Sequence, residues 1–184
     1  MKKSCNITGI FINNRAGENG GALYLRDIVN YNLKGNFTNN SAKNGGAAYL
    51  DSVFVIPTFS VDGIFDSNDA AFGGAVYCFN PNGKFTGVYQ NNRASRDGGA
   101  IYTIRSLSRY GMPYEVIGEF YSNSANGQGS AICALNLERK NAEVYGSIFM
   151  KNTGKSTLYS SGYYYLDVRE SVFVENSDNY VFES

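Results

Sequence analysis

Apolar and polar residues alternate with a period of two in short runs along this chain, and each run ends on an aromatic ring. The apolar members read Ile7, Gly9, Phe11; Leu33, Gly35, Phe37; Val61, Gly63, Phe65; Phe85, Gly87, Tyr89; and Val116, Gly118, Phe120, with Lys34, Asn36, Asp62, Thr86 and Glu119 standing between them. Such alternation predicts strands with one face buried and the other in water. Two weaker copies end at Phe149 and Phe173, where the upstream rows at 144–148 and 168–172 miss the ring by one residue. That offset predicts a bulge or register change in the last two turns. The rings recur at intervals of 26, 28, 24, 31, 29 and 24 residues. A period of this length points to stacked turns, not to a single central core.

A second motif follows the first at a nearly constant distance: Gly20-Gly21-Ala22, Gly45-Gly46-Ala47, Gly73-Gly74-Ala75, Gly98-Gly99-Ala100, and the degraded Gly129-Ser130-Ala131. Behind each lies another strand. One parity of it collects Leu23 and Leu25, Ala48 and Leu50, Val76 and Cys78, Ile101 and Thr103, Ile132 and Ala134, which is nearly all apolar and should face inward. The other parity then makes Tyr24, Tyr49, Tyr77 and Tyr102 an outward ladder. Three residues after each ring stands Asn14, Asn40, Asn68, Asn92 or Asn123. Asparagine at one fixed place predicts a corner at which stacked amides bond to each other and to the backbone, with the glycines allowing positive φ or close approach. A third, irregular side is expected over 27–32, 52–60, 105–115 and 136–143, with an insertion at 105–113 projecting from it.

One strand per turn with a core of ring ladders gives an all-β fold, a parallel β-helix of about seven turns and about 30 Å in length. The repeat fills nearly the whole chain, so 1–184 reads as a single domain. Neither end shows a capping segment, which suggests a segment of a longer solenoid or assembly whose strand edges either fray or associate end to end with another copy.

Composition narrows the setting. Lys plus Arg and Asp plus Glu are 16 each, the formal net charge is zero and histidine is absent, so no electrostatic footprint for nucleic acid exists. No apolar run is long enough to span a bilayer as a helix. Met1-Lys2-Lys3 opens like a secretory leader, but Ser4-Cys5-Asn6 stands where the apolar stretch belongs. The expected location is the cytosol if Met1 is the native start, and the cell surface or exterior if the chain is part of a longer secreted protein. Cys5, Cys78 and Cys133 are read as small apolar residues, since Cys78 and Cys133 fall at different phases of turns too far apart to bridge. Three sequons, at Asn6, Asn36 and Asn39, arise freely in an Asn-rich repeat.

The paired Gly-Gly-Ala-Ile and Phe-x-x-Asn motifs resemble those of the polymorphic outer membrane protein repeat family and of adhesin-like right-handed β-helix repeats in bacteria and archaea. Gly98-Gly99-Ala100-Ile101 carries the first motif, and the turns at Asn14, Asn40, Asn68, Asn92 and Asn123 carry the second. The resemblance extends over about residues 7–182, is specific as far as residue 133, and implies a right-handed solenoid and a surface-exposed passenger used in adhesion.

Right-handed β-helices also include polysaccharide-cleaving enzymes, which need converging carboxylates. The nearest cluster is Asp66, Asp69 and Asp97, beside Arg93 and Arg96, and the repeat aligns Asp69 with Arg93 as a surface ion pair. No metal-ligand spacing, phosphate loop or cofactor motif stands out. The leading expectation is a non-catalytic, adhesin-like β-helix that contacts a protein or glycan, with Tyr24, Tyr49, Tyr77 and Tyr102 as candidate binding residues. The alternatives are a polysaccharide lyase or hydrolase built on the three aspartates, and a structural component of a larger assembly.

Overall fold

A computed structural model describes residues 4–53, 57–105, 113–136, 142–162 and 166–183. The chain is a parallel β-solenoid built from a nine-stranded and a ten-stranded sheet. In the first sheet Ser4–Ile12, Asn30–Thr38, Thr58–Asp66, Gly83–Gln90 and Glu115–Tyr121 lie in file. Each pairs in parallel with the strand one turn on: Ile7 with Leu33, Leu33 with Val61, Val61 with Phe85, and Phe85 with Val116. The alternating rows of the sequence are therefore columns that run along the rod.

The columns hold because like groups meet at the rung spacing. Phe11, Phe37, Phe65, Tyr89, Phe120, Phe149 and Phe173 stack with centroids 4.7–4.9 Å apart and planes within 10° of parallel, close to the distance between hydrogen-bonded strands. Those from Phe37 to Phe149 are fully buried. Stacked aromatic pairs add about 0.5–1.5 kcal/mol beyond their buried area. In the last two turns the first-sheet strand splits into Ala142–Tyr145 with Ile148–Met150, then Leu166–Arg169 with Val172–Val174. Val116 pairs with Val144 while Phe120 pairs with Phe149, so one residue more separates valine from ring, and the expected bulge is present. Gly146, at φ 55°, sits in the break.

The second sheet contains Leu23–Arg26, Ala48–Asp51, Val76–Phe79, Ile101–Ile104 and Ile132–Leu135. Its Gly-Gly-Ala entry has two separate backbone requirements. Gly73 has φ +64°, and a Cβ on Gly74 would lie 2.1 Å from the Gly99 carbonyl oxygen of the next turn. The first glycine supplies a left-handed bend and the second a close approach that no side chain permits. The alanine that follows is fully buried in the turns of Ala47, Ala75, Ala100 and Ala131.

Two sequence expectations are corrected. The irregular side is shorter than predicted, because Asn30–Asn32, Thr58–Ser60 and Glu115 already belong to first-sheet strands. The expected insertion at 105–113 falls mostly on residues 106–112, outside those described. The left-handed corner residue is not a glycine: it is the residue two after the ring, Asn13, Asn39, Ser67, Asn91, Ser122, Lys151 or Glu175, with φ between 50° and 60°. Asparagine or serine at each of the first five of these turns tolerates that conformation through a short polar side chain.

Candidate binding surface

The tyrosine column exists, but its exposure changes along its length. Tyr24 pairs with Tyr49, Tyr49 with Tyr77, and Tyr77 with Tyr102. Tyr24 is 47% exposed and meets Tyr49 edge-on at 70°, whereas Tyr49 and Tyr77 stack 4.7 Å apart at 17°. Tyr102 is only 6% exposed and is corrected from an outward ring to a buried one. Phe72, on the neighbouring Asp69–Phe72 strand, comes within 5.2 Å of it, and the Arg96 guanidinium lies over Phe72 at 4.9 Å. Stacking turns the faces of Tyr49 and Tyr77 toward each other. What the column offers a ligand is therefore a row of ring edges and hydroxyls, with Tyr24 at its open end. Burial, reinforced by the Asp51 carboxylate, pushes the Tyr49 hydroxyl up to about 12, and burial also raises Tyr77 and Tyr102.

The three aspartates lie on separate columns. Asp66 closes a first-sheet strand in register with Thr38 and Gln90. Partial burial pulls its pKa up, but hydrogen bonds from Asn91, Gln90 and Ser67 outweigh it and hold the carboxyl below its usual range. Asp69 opens a second-sheet strand and pairs in register with Arg93, yet no ion pair joins them. Both are exposed, where hydration competes with a contact worth about 0–1 kcal/mol. Asp97 pairs with Phe72, and its Oδ1 accepts the Gln128 main-chain N–H at 2.8 Å. Among the described residues no three His, Cys, Asp or Glu side chains are grouped to hold a metal ion. No described helix is long and apolar enough to cross a membrane. The three cysteines are free thiols; Cys78 and Cys133 are buried, and burial raises both.

Sequence reasoning passed over the outer face of the first sheet. Its columns include Ser4, Asn30 and Thr58, then Asn6, Asn32, Ser60 and Lys84, and a trough of about 480 Å³ opens there. A further outer column runs Ile10, Asn36, Ile64, Val88, Glu119, Ile148, Val172. The signal was the opposite parity of the strands that had already been phased for their inward rows.

No curated protein and no solved structure matches the chain. Residues 8–26 and 90–104 match the family model of the Chlamydia polymorphic membrane protein (Chlamydia_PMP) repeat. Both stretches contain a corner asparagine, a Gly-Gly-Ala entry and a ladder tyrosine, and in these the chain is similar to that repeat.

Proposed function

We propose that the chain is an adhesin-like, surface-displayed solenoid that performs no catalytic step and holds its outer faces for contact with a protein or glycan on another surface. One observation carries this reading. The inward ring column is aromatic in every turn, while the outer column one residue before it changes from Ile10 to Asn36, Ile64, Val88, Glu119, Ile148 and Val172. Adjacent residues on one backbone thus obey different constraints. The inner one is held by its ladder, and the outer one changes from turn to turn.

Ile10 at 71% and Val172 at 53% exposure leave aliphatic surface in water, which a contact partner would cover. The similarity to a membrane-protein repeat supports display at a cell surface. End-to-end stacking belongs to the same proposal, because a terminal strand edge presents a full row of backbone donors and acceptors to a further rung.

Beads coated with the folded chain should be retained on cultured cells more than albumin-coated beads. An Ile10→Asp/Ile64→Asp/Val172→Asp variant should lose part of that retention while keeping its melting temperature. Equal retention of chain-coated and albumin-coated beads would contradict the proposal.

A further inference from the structure

The outer polar groups of this solenoid are mostly engaged with one another. Asn39 donates to Asn13 Oδ1 at 2.7 Å, Asn91 to Asp66 Oδ1 at 3.0 Å, Thr86 to Asp62 Oδ1 at 3.1 Å and Tyr121 to Glu119 Oε2 at 2.8 Å, and Lys34 pairs with Asp62 at 3.4 Å. The trough on the first sheet is different. Among the described residues, the side chains of Ser4, Asn30, Thr58 and Ser60 make no hydrogen bond within the protein. Of its other polar members, Asn32 donates to Asn6 Oδ1 at 3.0 Å, and this bond leaves the Asn6 amide and the Asn32 carbonyl oxygen for a ligand.

The register gives these groups a repeat. Ser4, Asn30 and Thr58 stand in one column and Asn6, Asn32 and Ser60 in the next but one, so three successive turns each present two polar side chains on the same face. Turns follow at about 4.8 Å, which is comparable with the length of one pyranose in an extended chain. The main chain beneath is already paired from strand to strand. A peptide laid along the rod axis across this face finds no free main-chain groups between these strands, and recognition there falls to side-chain amides and hydroxyls, which donate and accept as sugar hydroxyls do. Charge selects further. Lys84, the one ionic group among the described lining residues, pairs with Glu115 at 2.7 Å, which offsets part of its charge.

We infer that this trough is a subsite for an extended neutral glycan laid along the rod axis, one sugar per turn. The inference rests on the display reading above and gives it a ligand class and a place away from the tyrosine column. Open and shallow, the site binds a short oligosaccharide in the millimolar range, and affinity for a polymer or a glycan-coated surface comes from multiple contacts.

The test is NMR titration of the isotope-labelled chain with a neutral β-1,4-linked glucose or N-acetylglucosamine tetrasaccharide and, separately, with a tetrasaccharide of uronic acids. The neutral sugars should shift amides of 4–6, 30–32 and 58–60. Thr58→Ala/Ser60→Ala should weaken binding about fivefold or more, as should Asn30→Ala, while Lys155→Ala, at an exposed position of the second-sheet strand Thr153–Ser160, leaves it unchanged. Absence of neutral-sugar shifts in the trough, binding of the uronate alone, or shifts confined to the tyrosine column would each overturn the inference. Bead retention that persists without trough shifts sinks the subsite and leaves the display proposal standing; bead retention equal to albumin sinks the display proposal.

Discussion

Asn68 donates its main-chain N–H and its side-chain amide to one acceptor, Oδ1 of Asn92, at 3.0 and 2.9 Å. The remaining amide hydrogen goes to the Phe37 carbonyl oxygen at 2.9 Å, and Asn68 Oδ1 receives the main chain and the amide of Asn40. The pattern runs from Asn14 through Asn123 and Asn152 to Asn176. A buried side chain with every polar atom used cannot be shortened cheaply, because its partners lose water and protein together. Asn68→Ala should lower stability by about 1–3 kcal/mol in thermal or denaturant unfolding. An unchanged melting temperature would show that the corner does not depend on the amide file.

Phe65 lies between Phe37 at 4.7 Å and Tyr89 at 4.8 Å and is fully buried. Cutting it to alanine removes a ring from a close-packed column whose neighbours are fixed by strand pairing, so the gap cannot collapse. Phe65→Ala should cost about 3–5 kcal/mol. A loss under about 1 kcal/mol in chemical denaturation would place Phe65 outside the core.

Tyr89 occupies a phenylalanine position, and its buried hydroxyl has no hydrogen-bond partner among the described residues. Its ionisation is pushed strongly upward by burial. Replacing it with phenylalanine keeps the stack and removes an unpaired polar atom. Tyr89→Phe should therefore leave stability unchanged or raise it by up to about 1 kcal/mol. A clear drop in melting temperature would mean that the hydroxyl is bound to something.

The tyrosine column sets an alkaline limit. The Tyr49 hydroxyl is pushed up to about 12 from an ordinary 10, mainly by burial, and Tyr77 and Tyr102 are raised further. A folded-state pKa above the unfolded value favours the protonated form in the fold. The associated stability is intact below pH 10 and is lost as pH rises toward and past 12. Phenolate absorbance should show a first, reversible group of tyrosines and a delayed group that titrates together with loss of strand circular dichroism. A single transition at the ordinary tyrosine value, with the fold intact, would contradict the buried stack.

What could be read from the sequence was whatever repeats at the same place in every turn. The inward row from Ile7 to Val116, the ring column and the asparagine corner each recur with their neighbours, so one strand's phase determines the next. The burial of Tyr102 was hidden because its cover, Phe72, comes from a second-sheet strand outside both motifs. Periodicity counts positions along a column and does not report which side chain crosses from the next one. The left-handed residue two places after each ring repeats as Asn13, Asn39 and Asn91 but gives way to Ser67, Ser122, Lys151 and Glu175, so its signal is weaker than that of the buried asparagine beside it. The trough required the outward parity of Ser4, Asn6, Asn30 and Asn32 to be read as a surface in its own right.

The central claim is that residues from distant repeats form straight columns along one rod. Ile10 and Val172 share an outer column six turns apart. In a Cys5→Ser, Cys78→Ala, Cys133→Ala background, nitroxide labels at Ile10→Cys and Val172→Cys can be measured by pulsed electron resonance. A single narrow distribution near about 29 Å is predicted from the strand spacing, and a broad distribution, or a centre below about 20 Å, would contradict the solenoid.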